Sequence, residues 1–161
     1  MSACGGSAAA QNPVGTGADL CQVTADVERL VVQRLAPYGD PPSSFGFPAR
    51  VSVTNLAAAR EIAADVCALP VVPPGVYHCP KGFGITYNLR FSTVDGDVIS
   101  VEAGPTGCQT VWGQDFVTRR TALSPGFWQE LGTAMGLHRP SQQTFVGKRP
   151  EVPGPPPSWR G

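Results

Sequence analysis

The sequence predicts a single α+β domain, with an antiparallel sheet of about five to six strands and two helices packed on one face, disulfide-stapled. Three observations predict this class. Several short segments rich in β-branched residues alternate apolar and polar positions, whereas two other segments repeat apolar residues at helical spacing. Four cysteines besides Cys4 form an even set. A chain of 161 residues has room for one domain and is too short for two comfortable ones.

The first half of the domain is expected to hold two strands and a helix. Residues 27–35 alternate apolar and charged positions, which favours a strand, although the same apolar residues also fit one face of a helix. Residues 49–54 alternate and are rich in β-branched side chains, so they predict a second strand. Asn55 then offers an N-cap oxygen to a helix that runs to about Ala68, and Pro70 helps to end it.

The second half is expected to be a meander. Residues 85–91 place alternate apolar side chains on one face, which predicts a strand with one buried and one wet face. Asp95-Gly96 is a strong two-residue hairpin signal that leads into a strand at 98–102. Further strands are expected at 108–112 and 116–121.

A second helix is predicted to start at Ser124-Pro125, with Ser124 as the N-cap and Pro125 in the first helical position. Its apolar side would be formed by Phe127, Trp128 and Leu131.

Composition sets the expected limits of the domain. Residues 1–19 are too poor in large apolar side chains to offset the entropy of ordering, which predicts a flexible tether. Residues 139–161 are rich in proline, which can neither continue a helix nor donate to a sheet, so they predict a disordered tail. The folded domain is therefore expected at 20–138.

The first residues of the chain, Met1-Ser2-Ala3-Cys4-Gly5-Gly6-Ser7, predict a location outside the cytoplasm. A small-residue pair followed by a cysteine is typical of the lipidation site of a bacterial lipoprotein, so Cys4 is the expected lipidation site. The membrane would then be reached through lipid only. The basic start and apolar run of a signal peptide do not precede Cys4, so the alternative is a cytoplasmic protein whose start happens to read Ser-Ala-Cys.

Charge and motifs argue against several function classes. Twelve basic and twelve acidic residues give no net charge, and no local run supplies the basic stripe that nucleic acid requires. His78 and His138 lie near no recognisable nucleophile motif, and the cysteines lack the short paired spacing of a metal site. No Gly-rich loop links a strand to a helix. We therefore expect no catalytic residue, no metal site and no cofactor.

Four segments carry a resemblance that covers about residues 27–137. They read FPARVSVT at 47–54, PPGVYHCP at 73–80 with FGI at 83–85, GCQTV at 107–111 and SPGFW at 124–128. Together they resemble a family of uncharacterised actinobacterial secreted or lipid-anchored proteins. The resemblance implies export and carries no known activity.

The same resemblance makes Cys79 and Cys108 the expected disulfide, and the predicted meander can bring their segments together. Cys21 and Cys67 are then left to pair with each other. The alternative is that Cys67 is a buried free thiol. Two bridges would suit an oxidising compartment.

Cys79-Pro80-Lys81 carries a second, local resemblance over about 30 residues. With the helix before it and the Asp95-Gly96 hairpin after it, this motif is similar to subtilisin-inhibitor-like serine protease inhibitors. In that family the residue after the Cys-Pro pair enters the primary pocket of the protease, which here implies Lys81, flanked by Pro80 and Gly82.

This chain departs from that family in two respects. Gly82 and Gly84 replace stiffer residues, and a loose loop would be cut as a substrate. The second bridge of the family lies near the start of the helix, whereas Cys67 lies near its end.

The sequence therefore predicts a non-enzymatic binding protein of the cell envelope, lipid-anchored or secreted. Its partner would be an envelope protein, a wall component or a small ligand. The alternative is a secreted serine protease inhibitor with Lys81 as the primary-pocket residue. An exposed aromatic patch of Tyr77, Phe83 and Trp112 would favour a partner surface, although two of the three are expected in the core.

Overall fold

Alternating apolar residues build one open antiparallel sheet in the computed structural model, which describes residues 19–36 and 44–148. The strands are β1 (Val27–Leu35), β2 (Arg50–Val53), β3 (Thr86–Thr93), β4 (Val98–Ala103), β5 (Thr110–Gly113) and β6 (Phe116–Arg120). The helices of this part of the chain are α1 (Leu56–Ala68), α2 (Gly126–Ala134) and α3 (Gln142–Val146). The predicted fold class, an α+β domain with a six-stranded antiparallel sheet and two disulfides, is confirmed.

The sheet has the strand order β2-β1-β3-β4-β5-β6, and its two faces differ sharply in burial. One cross-strand row joins Val32 to Leu89 and Leu89 to Val101, and all three side chains are buried. The next row places Arg90 beside Ser100, and both are exposed. This alternation is the period of two that a half-buried antiparallel sheet requires.

Helix α1 covers the buried face as the sequence predicted. The Asn55 side chain accepts a hydrogen bond from the backbone N–H of Ala58 at 2.9 Å, which confirms the expected N-cap. The helix packs on β1 and β2 and contacts α2. Its buried stripe consists of Ala59, Ile62, Ala63 and Val66. Near its end, Cys67 is joined to Cys21 with a Cα–Cα distance of 5.5 Å, so the expected pairing is present.

Helix α2 begins later than predicted. Its first residue is Gly126, and Pro125 takes the N-cap position without a side-chain hydrogen bond. The predicted capping hydrogen bond to the Ser124 side chain is not formed, and the backbone of Ser124 closes a turn. The N–H of Ser124 donates to Thr121, and its carbonyl accepts from Phe127.

The prediction that a disordered tail begins at residue 139 is wrong for residues 139–148. Ser141 and Thr144 form a reciprocal capping box that starts α3. Lys148 exchanges two backbone hydrogen bonds with Ser44, at 2.9 and 3.0 Å. The domain therefore includes residues 139–148, and the predictions for residues 1–18 and 149–161 lie outside the described residues.

Phe145 of α3 is the reason that this segment is ordered. Its side chain is fully buried, with ring centroids 4.9 Å from Trp128 and 5.1 Å from Tyr87. The Tyr87 hydroxyl donates a hydrogen bond of 2.6 Å to the carbonyl of Phe145. Burial raises the pKa of Tyr87, which keeps the hydroxyl protonated as a donor. These contacts offset the entropy lost when α3 becomes ordered.

Candidate functional site

The connection from α1 to β3 leaves the sheet edge at a pair of prolines. Up to Val72 it runs beside β6, where the N–H of Val72 donates to Thr118 at 3.0 Å and the carbonyl of Pro70 accepts from Arg120 at 2.9 Å. Pro73 and Pro74 have no N–H with which to continue this pairing. From residue 73 to residue 83 every residue is exposed. We call these residues the Lys81 segment.

A disulfide fixes the Lys81 segment upstream of Lys81. Cys79 is joined to Cys108 with a Cα–Cα distance of 4.9 Å, as expected from the sequence. Cys108 lies in the connection between β4 and β5, residues 104–109, which we call the Thr106 turn. Further upstream, the Arg120 guanidinium lies 5.1 Å from the centroid of the Tyr77 ring, and the Tyr77 hydroxyl donates to the carbonyl of Pro73.

The same turn also fixes the segment downstream of Lys81. The backbone N–H of Phe83 donates to the Thr106 Oγ1 atom at 3.0 Å. Gly82 faces Gly107, and a Cβ on Gly107 would lie at ordinary van der Waals distance, 3.6 Å, from the Gly82 Cα. Gly107 has a φ of 68°, a left-handed conformation that glycine adopts without strain. Lys81 therefore lies exposed between two attachments to one turn.

The Thr106 turn is itself tied to α3. The side-chain amide of Gln142 donates to the carbonyl of Pro105 at 2.7 Å and to the Gln109 Oε1 atom at 3.1 Å. The N–H of Gly104 donates to Thr110 at 3.0 Å. Helix α3, which the sequence did not predict, thus supports the turn that holds Lys81.

The structure places the expected Cys79–Cys108 bridge next to the residues that the sequence singled out for protease binding. Pro80, Lys81 and Gly82 are contiguous and exposed, and the expected bridge lies beside them. Cys4 lies outside the described residues. Sequence reasoning missed Thr106 and Gln142, because their hydrogen bonds join residues 23 and 37 positions apart and leave no local pattern.

The expectation that two of the three patch aromatics lie in the core is wrong. Tyr77 is 41% exposed and Phe83 is 38% exposed, while Trp112 is half-buried. Val76, next to Tyr77, is 90% exposed. Val76, Tyr77 and Phe83 are accessible because they lie in the exposed Lys81 segment, whereas Trp112 lies in β5.

A separate acidic cluster lies between α1 and α2. Carboxylate oxygens of Glu61, Asp65 and Glu130 lie within 4.8 Å of one another. The Asp65 Oδ2 atom is buried and accepts no hydrogen bond. Burial, followed by the charges of Glu61 and Glu130, raises the pKa of Asp65 above its ordinary value of 3.8. The cluster therefore opposes folding when it is fully ionised.

Replacement of Asp65 by asparagine is expected to stabilise the protein at pH 7. Because the folded-state pKa of Asp65 is raised, the native state binds more protons than the unfolded state between pH 3.8 and that raised pKa. The protein therefore loses stability as pH rises through this range, and the loss is complete at pH 7. Relief of burial and of repulsion both contribute to the gain; like charges four residues apart on a helix alone destabilise by roughly 0.2–0.5 kcal/mol, so the expected gain is at least of this size. Urea unfolding at pH 4 and pH 7 should show the larger gain at pH 7.

The control for this prediction is Asp115→Asn, in the exposed turn between β5 and β6. Asp115 has a φ of 53°, a backbone conformation that asparagine also tolerates. We expect the control to change stability little at either pH. An equal gain for Asp65→Asn at both pH values would contradict the assigned cause.

The fold and site define a disulfide-cross-linked α+β domain that presents one exposed segment with an anchor on each side of Lys81. Comparison of the chain with models of protein families, with curated proteins and with solved structures found no match. Two disulfides fit a protein that works outside the cytoplasm, in an oxidising compartment. Within the described residues, no helix is long and apolar enough to span a bilayer.

Proposed function

We propose that this protein is an extracytoplasmic, non-enzymatic binding protein that inhibits serine proteases, with Lys81 entering a primary pocket that accepts basic residues. The observation that carries the proposal is the double attachment of the Lys81 segment to the Thr106 turn. The Cys79–Cys108 bridge lies on one side of Lys81, and the hydrogen bond between Phe83 and Thr106 lies on the other.

Double attachment matters because inhibition and cleavage begin with the same encounter. A protease binds an exposed lysine in an irregular segment and attacks the peptide bond that follows it. A flexible segment pays its ordering entropy on binding and separates after cleavage, so it behaves as a substrate. A segment held on both sides is ordered before binding, and its two ends stay together if the Lys81–Gly82 bond is cut. Religation then competes with release.

The same contacts answer the objection that Gly82 makes the segment loose. The residue after Gly82 is held by the Thr106 hydroxyl, and the backbone of Gly107 lies alongside Gly82. Gly84, with a φ of 75°, supplies the turn that leads the chain into β3. The conformational freedom of Gly82 is therefore limited by the attachment of the next residue, and that of Gly84 is used for the turn.

Anchoring through lipid at Cys4 belongs to the same proposal, because a lipid anchor would hold the inhibitor at the cell surface. Mass spectrometry of the N-terminal peptide from the native membrane fraction tests this part. A diacylglyceryl-modified Cys4 is the expected result, and an unmodified cysteine in secreted protein would leave secretion as the location.

The test of inhibition is a titration of the oxidised protein against trypsin, with residual activity and inhibitor mass followed together. We expect stoichiometric loss of activity with slow cleavage after Lys81. Lys81→Arg should retain inhibition because arginine is also cationic. Lys81→Ala should weaken it by about 30- to 1,000-fold, the range for a central interface residue worth about 2–4 kcal/mol. Both variants should fold normally, since Lys81 is exposed.

Full trypsin activity with rapid cleavage after Lys81 would show a substrate and reject the proposal. The wider expectation of an envelope-binding protein would then be pursued by pull-down from envelope extracts, with the Lys81→Ala variant as the comparison.

A further inference from the structure

A groove of about 660 Å³ opens beside the Lys81 segment. Phe83 and Thr106 form one wall, and the start of α2 together with residues 140–146 forms the other. Among the residues that the structure describes, none of those lining the groove is charged; they combine apolar side chains, such as Val146, with amides, such as Gln129.

The size of a protease interface suggests what this groove is for. Protease–inhibitor complexes bury roughly 800 Å² on each partner and use about 20–30 residues a side. The Lys81 segment spans only residues 73–83, so neighbouring surface must supply the rest of such an interface. The groove begins at Phe83, two residues beyond Lys81, and is therefore the adjoining surface on the C-terminal side of the bond that a protease would attack.

We propose that the groove is a second contact surface for the same protease, filled by a protease loop that flanks the cleavage site on its C-terminal side. This inference rests on the proposed inhibition. An uncharged groove suits that occupant, because burying it requires no charge to be desolvated. Its apolar walls offer area, and its amides offer hydrogen bonds to the backbone of the entering loop.

The two walls are also fixed relative to Lys81. Gln142 lines the groove and donates to Pro105, so α3 is tied to the Thr106 turn. Thr106 in turn holds Phe83. A protease that engages Lys81 would therefore meet a groove that is already in position, which reduces the entropy lost on binding.

Gly126→Trp tests the inference by filling the groove. A Cβ on Gly126 would meet no atom within 4 Å, and its backbone has no positive φ, so the fold accommodates a side chain there. We expect the inhibition constant for trypsin to rise by about tenfold or more, equivalent to losing one significant interface contact. Gln129→Trp, at an exposed position one turn further along α2, provides a second obstruction.

Ser100→Trp is the matched control, because it places the same bulk on the exposed face of β4, away from the helices. It should inhibit trypsin as the unmodified protein does. Thermal unfolding of all three variants shows that each is folded at the assay temperature.

The outcomes separate the two proposals. Unchanged inhibition by both groove variants would reject the second contact surface and leave the role of Lys81 intact. Equal weakening by Ser100→Trp would also reject it, since bulk alone would then explain the loss. Failure of the unmodified protein to inhibit trypsin would reject both proposals.

Discussion

Replacing Phe145 with alanine is expected to lower the free energy of unfolding by about 3–5 kcal/mol. The Phe145 ring is fully buried against Trp128 and Tyr87, so its removal leaves a cavity lined by large aromatic side chains that cannot easily close. The Tyr87 hydroxyl donates to the backbone of Phe145, so alanine keeps that hydrogen bond and the loss reports on the ring. Urea unfolding of oxidised protein measures the change.

Leu123→Ala is the control for the Phe145 variant. Leu123 is 79% exposed and should change stability by no more than about 0.5 kcal/mol. A loss below about 1 kcal/mol for Phe145→Ala would mean that α3 does not belong to the core. The domain would then end near residue 138, as composition alone predicted.

Most of the sheet and α1 could be predicted from the sequence because their signals are local. An antiparallel sheet with one wet face imposes strict alternation, and β3 and β4 show it. Strand β1 departs from it, with a register shift between Val27 and Arg29 and three consecutive buried residues at 30–32. Asn55 caps α1 through an oxygen only three residues from its donor. Each of these features is decided within a few residues.

Helix α3 could not be predicted because its order is decided at long range. It has five residues, too few for intrinsic helix stability, and its neighbourhood is rich in proline. What orders it is a single buried ring and a hydrogen bond between residues 58 positions apart. Composition is an average over a segment, so it does not show that one side chain, Phe145, is buried in the core.

The candidate site could be predicted only in part from the sequence, because one of its two anchors also depends on a long-range contact. Cys79-Pro80-Lys81 is a contiguous motif, and it singled out the exposed lysine and one anchor. The second anchor joins Phe83 to Thr106 across 23 residues, and neither residue type is distinctive. From sequence, Gly82 predicted a loose segment; in the structure, the hydrogen bond from Phe83 to Thr106 fixes the residue that follows it.

The double substitution of Cys79 and Cys108 by serine is expected to convert the protein from an inhibitor into a substrate. It removes the covalent anchor upstream of Lys81 and leaves the Phe83–Thr106 hydrogen bond, worth only about 1 kcal/mol, to hold the segment. Trypsin should then cleave after Lys81 rapidly and recover full activity. Mass spectrometry of timed samples measures the cleavage, and residual trypsin activity measures the inhibition.

The same substitution should lower the free energy of unfolding by about 3–4 kcal/mol, because the bridge closes a loop between residues 29 positions apart. The double variant Cys21→Ser, Cys67→Ser separates the loss of stability from the loss of the anchor upstream of Lys81. Its bridge spans 46 positions and should contribute a similar amount, about 4 kcal/mol, yet neither of its cysteines belongs to the Lys81 segment. We therefore expect it to inhibit trypsin at any temperature where it remains folded.

Comparing the two double variants at a temperature where circular dichroism shows both to be folded decides which role the Cys79–Cys108 bridge has. Rapid cleavage of the Cys79, Cys108 variant alone would mean that the bridge acts by fixing the segment. Cleavage of both at equal rates would mean that each bridge acts only through global stability. Undiminished inhibition by the Cys79, Cys108 variant would contradict the requirement for two anchors. The Thr106 turn would then hold Lys81 by hydrogen bonding and backbone packing without the covalent link.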